Sequence, residues 1–337
     1  MNINKLKELY KPESVSREEL LAHIAGSRFG VEVEFAGLTE REAAVEVFKA
    51  VGSDLYDRRE KDHGGRFFDP FAVERKRQFD VKVNGMRYGF DRDQTISKDK
   101  CAELVTSPMG LDNVPDLMRI LKVLIQKGAY ATPTAAVHFH LDATRDFKNS
   151  EKGFENSILR LLCNSLINRT IINKIFPIVS ERVEYCKPCG AIELIGMLHA
   201  GAPELRSTPK DSEIAVCGDT IEMRRFAFDV DGLRPQLDFA LALKSCSVLG
   251  VKLPPACEAG ISQRRSVGTW LDRMGVPRES IQKLTKNFSR EAPAQKQVTE
   301  YMERYDTFSH GAEIVRGRGL TNGKAVMYNK PHKGGIK

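Results

Sequence analysis

Arg28-Phe-Gly-Val-Glu-Val-Glu-Phe35 places apolar residues at 29, 31, 33 and 35. This strict alternation reads as a half-buried strand. Side chains two apart on a strand share a face. Glu32 and Glu34 therefore stand side by side, roughly 6.6 Å apart along the strand, on the face opposite Phe29 and Val31. Two neighbouring carboxylates repel one another unless water or a cation intervenes. The strand is then either a solvated acidic surface or one wall of a cation site.

The same geometry recurs further along. In Ala135-Ala-Val-His-Phe-His-Leu-Asp142, residues Val137, Phe139 and Leu141 alternate with His138, His140 and Asp142. Two of only seven histidines thus share one face of one strand. In Asp219–Phe228, Thr220, Glu222 and Arg224 share a face, while Ile221, Met223 and, less comfortably, Arg225 take the other. Cys101–Thr106 is a further strand and carries Glu103, stopped by Ser107-Pro108. Gln78–Val83 and Met86–Phe90 flank Asn84-Gly85, a strong hairpin signal.

Helical spacing appears between these strands. Ser16 and Glu19 form a capping box ahead of Leu20, Leu21 and Ile24. Thr39–Val51, Asp112–Lys127, Phe154–Ile178 and Pro235–Leu249 read as helices, and Val267–Met274 with Arg278–Asn287 as a short helical pair. Strands and helices mix without a βαβ rhythm. The expectation is an α+β fold, a largely antiparallel curved sheet with helices packed on one face. Three regions are expected: a helical lead-in over 1–27, a main domain over 28–252, and a basic helical extension with a partly disordered tail over 253–337, the break falling near Leu253-Pro-Pro-Ala-Cys257.

Composition sets the bounds. The chain has 337 residues, is 41% hydrophobic and 29% charged, and carries a net charge of +7. These values fit an ordinary globular protein and exclude a wholly disordered chain. No run approaches the roughly 20 apolar residues of a membrane span. The N-terminal residues are too charged for the apolar segment of a signal peptide. Seven scattered cysteines argue for reduced thiols rather than a disulfide framework, so a cytoplasmic protein is expected. Residues 262–337 hold 15 Lys/Arg against 7 Asp/Glu, leaving the rest of the chain nearly neutral.

Several strands therefore aim carboxylates or imidazoles away from their apolar faces. Carboxylates with one or two imidazoles suit Mg²⁺ or Mn²⁺. An arginine beside them suits a transferring phosphoryl group. No Gly-x-x-x-x-Gly-Lys-Ser/Thr occurs, so any nucleotide site here lacks a P-loop.

The ordered motifs Arg28–Phe35, Phe90-Asp-Arg-Asp-Gln-Thr-Ile96, Glu103-Leu-Val-Thr-Ser-Pro108, Val137-His-Phe-His140 and Thr220-Ile-Glu-Met-Arg-Arg-Phe226 resemble those of the amidoligase family. Arg182-Val-Glu-Tyr-Cys-Lys-Pro188 also looks like a family segment. The family is similar to the carboxylate–amine ligases glutamine synthetase and glutamate–cysteine ligase, and the resemblance spans about 28–250. It implies a glutamine synthetase-like fold, ATP with Mg²⁺ or Mn²⁺, and amide formation through an acyl phosphate. It further implies Glu32, Glu34, Glu103, His138 and Glu222 as metal ligands, and Glu32, Glu34, His140 and Arg224 on the ATP side. Arg224, Asp93 and Arg182 would stand at the reacting groups. Gln94-Thr95 departs from the Gly-Ser expected there. The implied partners are small-molecule or peptide carboxylates and amines.

A different reading makes the chain an inactive ligase-fold protein that binds nucleic acid or scaffolds through its basic C-terminal quarter. The six residues Glu32, Glu34, Glu103, His138, Glu222 and Arg224 discriminate the two. A ligase needs all of them, and all are present. Cys186-Lys-Pro-Cys189 follows a long helix rather than a strand, and only His199 and Cys217 are near in sequence to complete a zinc site, so it reads as structural or incidental thiols.

Overall fold

The computed structural model describes residues 15–57, 79–92, 96, 100–142, 151–178, 180–182, 186–187, 212–217, 220–253 and 264–286. Alternating sequences fold as eight strands: β1 (Phe29–Ala36), β2 (Asp54–Asp57), β3 (Phe79–Val83), β4 (Met86–Asp91), β5 (Cys101–Thr106), β6 (Ala136–Asp142), β7 (Ile214–Cys217) and β8 (Thr220–Ala227). They form one sheet in the order β2-β3-β4-β5-β1-β6-β8-β7. Every pairing is antiparallel. The turn between β3 and β4 uses Asn84 at φ 47° and Gly85 at φ 83°, the left-handed pair that a tight hairpin requires. The sheet is thus α+β and antiparallel, with β1 near its centre.

The helices are α1 (Arg17–Ala25), α2 (Glu40–Val51), α3 (Val114–Gln126), α4 (Glu151–Ile167), α5 (Arg169–Ile175), α6 (Val230–Leu249), α7 (Arg264–Arg273) and α8 (Arg278–Lys286). Ser16 and Thr39 each cap a helix through a capping box with Glu19 and Glu42. Helix α2 packs on β3, β4 and β5, and α6 on β6. Phe29, Val31, Val33 and Phe35 are buried on that side. Aromatic rings run from sheet to outer helix: Phe139 and Phe226 at 4.9 Å, Phe176 and Phe239 at 4.8 Å, Phe239 and Trp270 at 6.3 Å.

Two differences from the sequence reading have physical causes. The long helix expected over 154–178 divides at buried Asn168, whose Nδ2 donates to the Asn164 carbonyl. Strands β2 and β7 were not expected. At four residues each, they are too short for their alternation to register. Helix α8 packs against α6 and α7 against α8, and Trp270, Leu271 and Met274 are buried. The loop at 62–65, Asp93, residues 254–257, Cys189 and the tail beyond 286 lie outside the described residues.

Candidate metal and phosphate site

Register decides which side chains meet. Glu32 lies opposite His138 and Glu34 opposite Glu103. His140 lies opposite Glu222. Directly opposed residues share a face. All six therefore project from the side opposite Phe29 and Val31, drawn from β1, β5, β6 and β8.

The contacts are close. His138 Nδ1 lies 3.3 Å from Glu32 Oε2 and 3.2 Å from Glu222 Oε1, and its Nε2 lies 3.6 Å from Glu34 Oε1. His140 Nε2 lies 3.2 Å from Glu32 Oε1 and 3.9 Å from Glu222 Oε1. Glu34 accepts the Ala136 backbone N–H at 2.8 Å. Arg224 Nε lies 2.7 Å from Glu222 Oε1, and its Nη2 donates to Glu222 Oε2 at 2.9 Å.

A β-bulge falls at Arg224 and Arg225. Val137 pairs with Phe226, but Phe139 pairs with Met223, so Arg224 and Arg225 together face His138. The extra residue shifts the alternation. Arg224 turns to the site while Arg225 and Phe226 both end on the helix side. Arg225 is buried there, where Glu213 accepts two of its hydrogen bonds, Asn173 Oδ1 accepts another at 2.6 Å and the Phe176 carbonyl a fourth at 3.3 Å. This charge pairing explains how a cation sits on the apolar side.

Burial pushes the Glu222 carboxyl up, but hydrogen bonds from His138 and Arg224 win and hold it down to about 2. Burial likewise works against the Glu32 charge, and His138 and His140 override it to hold that carboxyl well below its usual range. Burial would lower the His138 imidazole, yet Glu222, Glu32 and Glu34 raise it to about 9. Both carboxylates are thus ready anionic ligands at neutral pH. His138 turns both ring nitrogens to carboxylates, whose charge favours its protonated form.

Among the described residues, Glu32, His140 and Glu222 offer ligand atoms within 4.8 Å of one another. His140 Nε2 is buried and makes no aligned hydrogen bond, although Glu32 is close. A buried nitrogen left so is costly unless something else takes its lone pair. Two carboxylates and one imidazole fit a hard divalent ion.

Glu103, half-buried, joins the row of Glu34 rather than this triad. Arg182 is buried at the edge, its guanidinium directed to backbone carbonyls of β8. Asp93 cannot be placed, lying outside the described residues. Two acidic residues were missed. Asp80 and Asp91 are buried on the same face, Asp91 opposite Glu103 and Asp80 opposite Gly89. Their signal was present, since Phe79, Val81, Tyr88 and Phe90 alternate around them.

The family model described as "Putative amidoligase enzyme" matches residues 25–202, more than half of the chain. The chain belongs to this amidoligase family. The match includes Glu32, Glu34, Glu103, His138, His140 and Arg182 but ends before β8, so Glu222 and Arg224 join the site by geometry alone. A bifunctional glutathione synthetase from Pasteurella multocida is similar at 14% identity and a TM-score of 0.39, covering 89% of this chain and 52% of that one. The chain thus spans about half the length of that structure. No curated protein matches the sequence. Among the described residues no helix is long and apolar enough to cross a membrane.

Proposed function

We propose that the chain is an ATP- and Mg²⁺-dependent carboxylate–amine ligase, glutamine synthetase-like in fold and cytoplasmic, that forms an amide through an acyl phosphate. One observation carries the reading: Glu32, His140 and Glu222 converge beside Arg224 on one sheet face. Membership of the amidoligase family supports it.

A carboxylate and an amine do not condense usefully at neutral pH, because the carboxylate oxygen leaves poorly as oxide. Transfer of a phosphoryl group to that oxygen turns the leaving group into phosphate. Bound Mg²⁺ or Mn²⁺ would screen the phosphate charges during this transfer. Glu32, Glu222 and His140 would hold one ion, and Glu34, Glu103 and His138 would line the ground beside it. Arg224 would offer its planar fork to two oxygens of the transferred group. Glu222 aims that fork by engaging Nε and Nη2. Asp93 would stand towards the substrates, which are a small-molecule or peptide carboxylate and an amine.

The test is phosphate release from ATP and Mg²⁺ across amino acids, polyamines and peptides, followed by ¹⁸O tracing. With the cognate pair, ¹⁸O from the labelled carboxylate should appear in inorganic phosphate. Release of AMP and pyrophosphate, or unlabelled phosphate with amide formation, would refute the acyl phosphate.

A further inference from the structure

The β8 bulge at Arg224 and Arg225 leaves backbone groups without ladder partners. Buried carbonyls in that state need donors from elsewhere. Arg182 supplies them. Its Nη1 donates to the Phe226 carbonyl at 2.8 Å and reaches the Arg225 carbonyl at 3.5 Å, and its Nη2 donates to the Arg224 carbonyl. One guanidinium thus spans three successive carbonyls. The Arg224 N–H donates to the Glu213 carbonyl at 3.0 Å. Arg182 is only 3% exposed, and both terminal nitrogens are committed to backbone.

We propose that Arg182 is a positioning residue that acts through Arg224, its guanidinium holding the bulge in the one shape that sends residue 224 to the site and residue 225 behind it. This replaces the role at the reacting groups that the family resemblance implied for Arg182. The inference rests on the ligase reading only for what Arg224 does to a phosphoryl group; the hold on the bulge is independent of it. Lysine at 182 keeps the charge but loses the planar fork that spans adjacent acceptors.

The test uses the full chain as wild type, Arg182→Lys, Arg224→Lys and the double variant. Mn²⁺ binding, Mg²⁺·ATP binding and the Arg224 Nε–H resonance of the ligand-free protein are measured on each that carries the group. Arg182→Lys should bind Mn²⁺ as wild type does, because Glu32, His140 and Glu222 are intact; a general collapse of the fold would abolish this binding. It should weaken Mg²⁺·ATP by about 10- to 100-fold, as loss of an orienting partner commonly does. The double variant should bind no more weakly than Arg224→Lys, within about twofold. Additive losses would overturn the proposal, because Arg182 would then touch the nucleotide itself. An unchanged Arg224 Nε–H resonance in Arg182→Lys would overturn it as well. Should wild type bind no Mg²⁺·ATP, the ligase reading falls, and the resonance alone decides the positioning role. If Arg182→Lys does not fold, Arg182→Gln keeps an amide donor for the Phe226 carbonyl and is read by the same criteria.

Discussion

Arg224 engages both carboxylate oxygens of Glu222, two residues back on its own strand, with Nε 2.7 Å from Oε1 and Nη2 2.9 Å from Oε2. Same-strand neighbours two apart share a face, so the pair needs no loop to bring it together. It couples a half-buried guanidinium to a carboxylate that also contacts both imidazoles. Cation, anion and ligand atoms are thereby fixed on a rigid sheet.

Replacing Arg224 by Lys should leave the fold intact. The side chain is partly exposed, and Lys still pairs with Glu222. The planar fork is lost, and ATP-dependent ligation should fall by about 10²- to 10³-fold, the usual cost of one preorganised electrostatic donor. Steady-state phosphate release with the cognate pair, beside a circular dichroism melt, checks both halves.

Mg²⁺·ATP should raise the melting temperature. Glu32, Glu34 and Glu222 lie close together, and a bound ion relieves their repulsion. Ligand at a hundredfold excess over its dissociation constant adds about 2.7 kcal/mol. Differential scanning fluorimetry should show the shift in wild type and its loss in Glu32→Gln. Equal shifts in both would move the nucleotide to another place.

Without metal, stability should depend on the ionisation of His138. Its imidazole is raised from 6.5 to about 9 in the folded state. Its stabilising contribution is therefore complete below about pH 6.5 and disappears as pH rises through about 9. Glu222, lowered from 4.5 to about 2, contributes above about pH 4.5 and loses this as pH falls through about 2. Urea midpoints of the metal-free protein from pH 6.5 to 9 should fall more steeply for wild type than for His138→Gln. Parallel curves would show that the imidazole is not the cation between these carboxylates.

Trp270→Ala should destabilise the whole protein by about 3–5 kcal/mol, the range for a buried aromatic truncated in a core. Trp270 is 2% exposed, and its ring lies 6.3 Å from that of Phe239 on α6. A single cooperative transition with a lower midpoint would show that α7 belongs to the same folding unit as the sheet. A second, separate transition would show a detachable extension.

Much of this was legible because the sheet is antiparallel, with one apolar and one polar face. Phe29 to Phe35 announces both the strand and the side on which Glu32 and Glu34 stand. The hairpin at Asn84-Gly85 and the capping boxes at Ser16 and Thr39 are local chemistry, visible without tertiary contacts. Register was not legible, and register separates His138 from His140. The family resemblance implies His138 as a metal ligand; in the fold both His138 nitrogens face carboxylates, and His140 Nε2 lies with Glu32 and Glu222. The bulge was hidden too. Arg225 looked merely uncomfortable on the apolar side until Glu213, Asn173 and Phe176 came round to receive it.

The central claim is a divalent ion and ATP held on the face that carries Glu32, His140 and Glu222. Isothermal titration of ATP into wild type and Glu32→Gln/Glu222→Gln, with and without Mg²⁺, tests it most directly. The account predicts binding by wild type that requires Mg²⁺, and its loss in a double variant that remains folded. Binding of equal strength without Mg²⁺, or undiminished in the double variant, would contradict it.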